Sequence, residues 1–309
     1  MLPREPVQTM RVPIQPHLQQ CLAAVAALLM LAPVATHAAD TRFGVDAELT
    51  HDTNVNRAAW ANEEQSDQIL AVEGYAARSF RLSPRSGAVV RGGLRLREHR
   101  KFGDLSSLAA LGRVAYRFQP SPGYTGAWIE LAGTAEVLGY RDSGLRDGYI
   151  VTGTASVGKY LTDRIRLGAG LGLDEREGKD GALYDLATTR AWLTLDYRVT
   201  SGITLYGSTT WIQGDQVFTA NHLATQSQLI PYADVIVADP AFADAFGGAP
   251  VTAYRMEATT MLFEAGVNIP IRGNQALDFG ASWFDSAADQ GGGKYDGAAF
   301  RIAYLYRFR

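Results

Sequence analysis

Arginines spaced at alternate positions are the first chemistry this sequence offers. Arg91, Arg95 and Arg97 share one parity, as do Arg113 with Arg117 and Arg164 with Arg166, and Arg190 follows in the same manner. Side chains on an extended strand point alternately to opposite faces, so each set projects to one side of its strand. The carboxylates Asp46, Glu48, Glu73, Glu130, Glu136, Asp174 and Asp196 fall on those same faces. Basic and acidic walls facing each other across a narrow pore would set ion or sugar selectivity, as rings of charge do in channels. The alternative is that these groups pair and close the interior with salt bridges and ordered water. The concentration of arginine on two consecutive segments, 88–97 and 108–118, favours anionic solutes.

Other chemistry is sparser. His99, within Arg97-Glu98-His99-Arg100-Lys101, falls near the top of the third segment, at the same height as Asp52 on the first, so an Asp-His dyad at a barrel rim is one reading. No nucleophile phrase accompanies it, and the chain is expected not to be an enzyme. Asp52, Asn54 and Asn56, with Glu63, Glu64 and Asp67, offer oxygen ligands for Ca²⁺ or for a lipopolysaccharide bridge. Asx-rich turns also form for conformational reasons alone, and that reading is preferred. Gly168, Gly170 and Gly172 point to one face of a strand, where they cradle no phosphate and make room for a bulky neighbour. No cofactor and no metal are expected.

These residues need a scaffold. The chain has 309 residues, 47% hydrophobic and 20% charged, with 32 Gly and a formal net charge of −3. Such a composition argues against disorder, and without a basic excess nucleic acid is not an expected partner. Cys21 is the only cysteine, which excludes a disulfide framework. Cys21–Ala35 is an apolar run preceded by Arg11 and followed by Ala35-Thr36-His37-Ala38-Ala39, the pattern of a signal peptide cut after Ala38. The expected organisation is therefore a signal peptide over 1–38 and one domain over 39–309.

After residue 40 the dominant signal is alternation at period two. Phe43, Val45, Ala47 and Leu49 oppose Arg42, Asp46, Glu48 and Thr50, and Phe300, Ile302, Tyr304, Tyr306 and Phe308 oppose Arg301, Arg307 and Arg309. Twelve such segments follow one another, with ten or fourteen as alternatives, and charge stays on one face. Short Pro, Gly and Ser-rich turns follow the even segments and longer polar loops follow the odd ones. With odd strands running upward, Phe43, Phe80, Phe118, Tyr197, Tyr306 and Phe308 gather at one rim of the apolar face, and Tyr149, Trp211, Trp283 and Phe300 at the other. Two aromatic belts on strands of this length predict an all-β transmembrane antiparallel up-and-down barrel, in which only closure satisfies the backbone in lipid. The connection from about Gln213 to Tyr254 lacks regular alternation and reads as a long loop that folds into or over the pore, with a concealed hairpin as an alternative.

The phrase His51-Asp52-Thr53-Asn54-Val55-Asn56-Arg57-Ala58 resembles the Asp-Asn phrase in several proteobacterial outer-membrane barrel families. These include the barrel of surface lipoprotein assembly modifiers and exopolysaccharide-associated porins. The final ten residues are similar to the alternating aromatic signal read by the barrel assembly machinery, except that Arg309 follows the last aromatic. The resemblance implies the outer membrane of a Gram-negative bacterium, with lipid and lipopolysaccharide around the barrel and a polysaccharide-export or lipoprotein partner. The assembly modifiers carry a helical repeat domain before the barrel that this sequence lacks. The expected function is a passive channel or export-accessory pore for small or polymeric solutes, anionic or sugar-like. The alternatives are an enzyme at the outer rim and a closed structural or assembly barrel. The expected lining is Arg91, Arg95, Arg97, Arg113, Arg117, Arg164, Arg166, Arg190, Glu48, Glu130 and Glu136.

Overall fold

A computed structural model describes residues 40–121, 123–179, 182–200, 202–221, 229–248 and 251–308. The expected signal peptide and Arg309 lie outside the described residues. The strands are β1 (Asp40–Asp52), β2 (Asp67–Ser83), β3 (Ser86–His99), β4 (Ser107–Phe118), β5 (Trp128–Tyr140), β6 (Gly148–Tyr160) and β7 (Ile165–Gly178). They continue as β8 (Leu186–Arg198), β9 (Thr204–Ala220), β10 (Val235–Asp239), β11 (Val251–Arg272), β12 (Gln275–Ala288) and β13 (Lys294–Arg307).

Each strand pairs antiparallel with the next along the chain, except that β9 skips the short β10 to pair with β11. The last strand returns to the first, with Gly44 opposite Arg307 and Asp52 opposite Ala299. A closed ring of twelve strands results, and the five-residue β10 lies outside it, bound to the start of β11. The twelve segments expected from alternation are these twelve strands.

The charged parity lies on the concave side. Arg95 on β3 reaches Glu136 on β5 across β4, and Arg301 on β13 reaches Glu264 on β11 across β12. Adjacent strands lie about 4.8 Å apart, so side chains two strands distant meet only where the wall curves toward them. The opposite parity is bare: Leu94, Leu171, Leu173 and Leu193 are 60–66% exposed. Apolar side chains around a whole barrel are stable in this state when the surrounding solvent is hydrocarbon. Phe43, Phe118, Tyr197 and Phe308 are exposed at the end with the short turns, and Trp211, Trp283 and Phe300 at the end with the long loops. The two belts therefore fall where the alternation places them.

Inward aromatics and glycines lock neighbouring strands together. Tyr75, Trp128, Trp192, Tyr206 and Phe284 each stand directly opposite a glycine, respectively Gly44, Gly158, Gly170, Gly266 and Gly297. Each ring occupies the space above its glycine, so that an added methyl would collide with it. Gly172 likewise admits the Arg190 side chain, and Gly168 admits Thr194. The glycine run on β7 thus makes room for its β8 neighbours.

One expectation needs correction. The stretch from Gln213 to Tyr254 is not a single irregular connection, since β9 continues to Ala220 and β11 begins at Val251. These strands have 17 and 22 residues, well beyond the roughly 9 to 11 that cross a bilayer. Their ends carry no alternation because both faces are covered: Phe218, Ala220, Val251, Ala253, Tyr254 and Met256 are all buried. Between them β10 runs antiparallel to β11, a strand pairing inside the expected loop.

Gly170→Ala is expected to destabilise the barrel by about 1–3 kcal/mol through overpacking against Trp192. The temperature at which the folded gel band is lost measures this. Adding Trp192→Ala to the same chain should recover part of the loss, and strict additivity would deny the contact.

Candidate functional site

Neighbouring strands bring the inward charges into contact around the wall. Arg91 pairs with Glu73 and lies 3.7 Å from Asp46, while Arg95 bonds Glu73 at 2.8 Å and Glu136 at 3.3 Å. Arg113 and Arg117 share Glu130, at 2.9 and 2.7 Å. Arg166 pairs with Asp196, and Arg190 with Asp174 at 3.3 Å. On the other flank Arg301 gathers Asp278 at 3.0 Å, Glu264 at 3.2 Å and Glu48 at 3.8 Å. Tyr206 donates to Asp278 at 2.8 Å and accepts from Arg301 at 2.9 Å.

Of the residues singled out from the sequence, Arg164 alone falls off the wall. It is exposed in the turn before β7, which begins at Ile165. Arg97 is on the wall, yet no carboxylate lies within ion-pair distance of it among the described residues. It lines a polar cavity of about 500 Å³ with Asp46, Glu48, Glu73, Arg95, Asp278 and Arg301. The picture of a basic wall facing an acidic one across the interior is corrected in detail. Arginine predominates on β3 and β4, carboxylate on β11 to β2, and these sectors adjoin and pair laterally. Reading the sequence missed Glu264, Asp278 and Tyr206 as members of the network. Their strands alternate weakly, and their partners appear only once register is known.

The mouth at the long-loop end carries a packed cap. The segment after β10, Pro240–Phe246, rests Phe242 edge-on against Phe102 of the β3–β4 connection at 5.0 Å. Leu183 and Tyr184, between β7 and β8, pack with Ala253, Leu145, Val235 and Val237. Leu229 packs with Phe218, Tyr254, Met256 and Tyr295. Connections from around the ring thus converge on the insertion between β9 and β11.

A buried ion pair joins this cap. Arg146, between β5 and β6, bonds Asp239 through both carboxylate oxygens, with Nη1 to Oδ1 at 3.0 Å. The guanidinium lies 5.0 Å from the Tyr184 ring centre and 5.6 Å from that of Phe242. Desolvation opposes its charge, but Tyr184 and Asp239 outweigh that and hold its pKa above the ordinary arginine value. Burial pushes the Tyr184 hydroxyl up to about 12 although Arg146 acts in the other direction. Asp239 also accepts from the Ala241 backbone at 3.1 Å, so one carboxylate caps a helical turn and anchors a second loop.

The Asp-Asn phrase works on backbone. Asp52 accepts from Asn54 N at 2.9 Å and from Arg57, which adopts a left-handed φ of 53°. Asn54 accepts from Ala58 N and donates to Asp296 O, while Asn56 accepts from Gln65 N and donates to Glu63 O. These bonds tie the first loop to β13 and to its own far side, the conformational reading of the phrase. His99 pairs with Asp67 at 3.1 Å, where Asp52 was the expected partner. Asp67 is buried and also accepts from Gln68 N and Lys101 N, so the pair anchors the β3–β4 connection to β2.

No protein-family model matches the sequence, and no curated protein matches it. Solved structures do. An outer-membrane channel from Pseudomonas putida F1 superposes with a TM-score of 0.57 at 12% identity, covering 90% of this chain and 98% of that one. The KdgM porin in complex with oligogalacturonate gives 0.45 at 8% identity, covering 86% and 99%. The translocator domain of the autotransporter NalP from Neisseria meningitidis gives 0.39 at 9%, covering 94% and 96%. The likeness to the Pseudomonas channel is one of fold: the chain is built as a closed antiparallel β-barrel.

Asp239→Ala leaves a buried guanidinium uncompensated, at a cost of about 3–5 kcal/mol. The cost falls on the cap, so limited proteolysis within 229–248 should accelerate at least a hundredfold while the barrel band stays folded. Unchanged cleavage would show that the pair does not hold the cap.

Proposed function

We propose that the chain is a passive channel in the outer membrane of a Gram-negative bacterium, for small or polymeric solutes that are anionic or sugar-like. The observation that carries this reading is the one-sided charge of the inner wall. Arg91, Arg95, Arg97, Arg113 and Arg117 crowd two strands, and among the described residues Arg97 lines a polar cavity without a carboxylate in ion-pair distance. A wall that served only to fill the interior has no use for a guanidinium that stands exposed in it without an ion-pair partner. In a channel such groups replace part of the hydration shell of a passing anion. Glu48, Glu130 and Glu136 hold Arg301, the Arg113–Arg117 pair and Arg95 in place in this reading, as Asp174 and Asp196 hold Arg190 and Arg166, and the cap between β9 and β11 acts as the constriction. The leading 38 residues direct export, the final strand engages the barrel assembly machinery, and lipopolysaccharide surrounds the rim.

A closed structural or assembly barrel is the second reading, and the packing of the cap favours it. The two separate in planar bilayers. The channel is expected to give discrete conductance steps that favour anions and enlarge when residues 229–248 are replaced by a short Gly-Ser linker. Arg97→Gln should move the reversal potential toward cation preference. A protein that insulates both with and without its cap would reject the channel.

A further inference from the structure

The short-turn mouth carries a set of aromatic residues that the charge network does not use. Trp128 begins β5 on the inward parity, and its ring lies over Gly158. Tyr160, inward at the end of β6, packs against it at 5.4 Å. Tyr124, from the β4–β5 turn, stacks on Tyr160 at 4.5 Å and 21° and remains 53% exposed. Its hydroxyl donates to the Asp163 backbone oxygen at 3.4 Å, which fixes it over the neighbouring turn. The Arg117 guanidinium lies 5.3 Å from the Trp128 ring centre, its side chain 58% exposed. Among the described residues Glu130 is the one carboxylate bonded to Arg117, and it also bonds Arg113. One positive charge on this pair of arginines is therefore unbalanced.

We propose that this mouth is a binding site for the carboxylated sugars of an acidic oligosaccharide. The inference rests on the channel reading and names both a solute class and the end at which it is held. The chemistry has two halves. Pyranose rings present flat C–H faces, and the open face of Tyr124 is a rigid apolar surface at the rim. A uronate carboxylate needs a planar cationic donor, and Arg117 and Arg113 have N–H groups that Glu130 leaves free. Ring stacking alone would accept any sugar, and the arginines alone any anion. Both within one mouth select a molecule that is sugar and anion together. The exposed Arg164 on the adjoining turn adds positive charge, while Asp163 beside it limits the excess.

The test measures binding separately from conduction. Titrating tri-galacturonate into the detergent-solubilised full chain by calorimetry should give saturable binding that weakens with salt, whereas maltotriose, neutral and equally long, should bind at least tenfold more weakly. Arg117→Gln should weaken tri-galacturonate binding about tenfold, the loss of one charge-assisted contact. Tyr124→Ala, at an exposed turn position, should weaken tri-galacturonate binding while leaving the folded gel band unchanged. Equal affinity for both trisaccharides, or binding unaffected by both substitutions, would overturn the site. In bilayers, tri-galacturonate added at the short-turn side should interrupt the current of the wild type more often than when added at the long-loop side. A protein that binds but never conducts would keep the site and reject the channel, and one that conducts without binding would reject the site alone.

Discussion

Everything in this molecule depends on the pairing of its first and last strands. A sheet in hydrocarbon has no water to satisfy an open edge, and each unpaired backbone group costs several kcal/mol. The pairing of β1 with β13, from Gly44 opposite Arg307 to Asp52 opposite Ala299, removes the edge. It also gives the polypeptide two solvents. Leucines such as Leu94 and Leu171 can stand bare outside because arginines and carboxylates have somewhere else to go. Once the ring is shut, the inner face is small and curved, and the long polar side chains on it must meet.

How they meet explains the character of the interior. An arginine two strands from a carboxylate still reaches it on the concave side, as Arg95 reaches Glu136. Most inward charges are thereby compensated at short range, and the net field depends on the few that are not. Arg97 and the Arg113–Arg117 pair belong to that remainder. Both lie in the same sector of wall, one by the polar cavity and the other by the short-turn mouth, so a solute hugging that sector meets cationic groups in succession.

Much of this was legible in the chain, and the parts that were not share a cause. Alternation survives where one face meets hydrocarbon and the other the interior, so all twelve barrel strands and both belts could be read. The upper ends of β9 and β11 meet protein on both faces, as Phe218 and Tyr254 show, and there the pattern dissolved into an apparent loop. The arginine and carboxylate faces were visible, but which sectors adjoin was not, because partners such as Asp278 and Tyr206 are 72 residues apart. Arg164 was misplaced by one residue at a strand end. Trp128 and Tyr160 went unnoticed because they face inward, and the signal for Trp128 was the glycine opposite it, Gly158, which only register reveals.

The five rings laid over glycines have a further consequence. Hydrogen bonds between extended chains are nearly the same whichever residues face one another, so a ladder by itself tolerates sliding. A slide of two residues would preserve which side faces fat and which faces water, and nothing in the greasy pattern would forbid it. It would, however, drive an indole or a phenol into a neighbour's β-carbon. The wide side chains therefore act as teeth and the missing ones as notches, indexing four of the twelve seams, since between β7 and β8 such a slide only moves Trp192 onto Gly168 or Gly172, so that at those four a strand arriving out of step during insertion is rejected by shape.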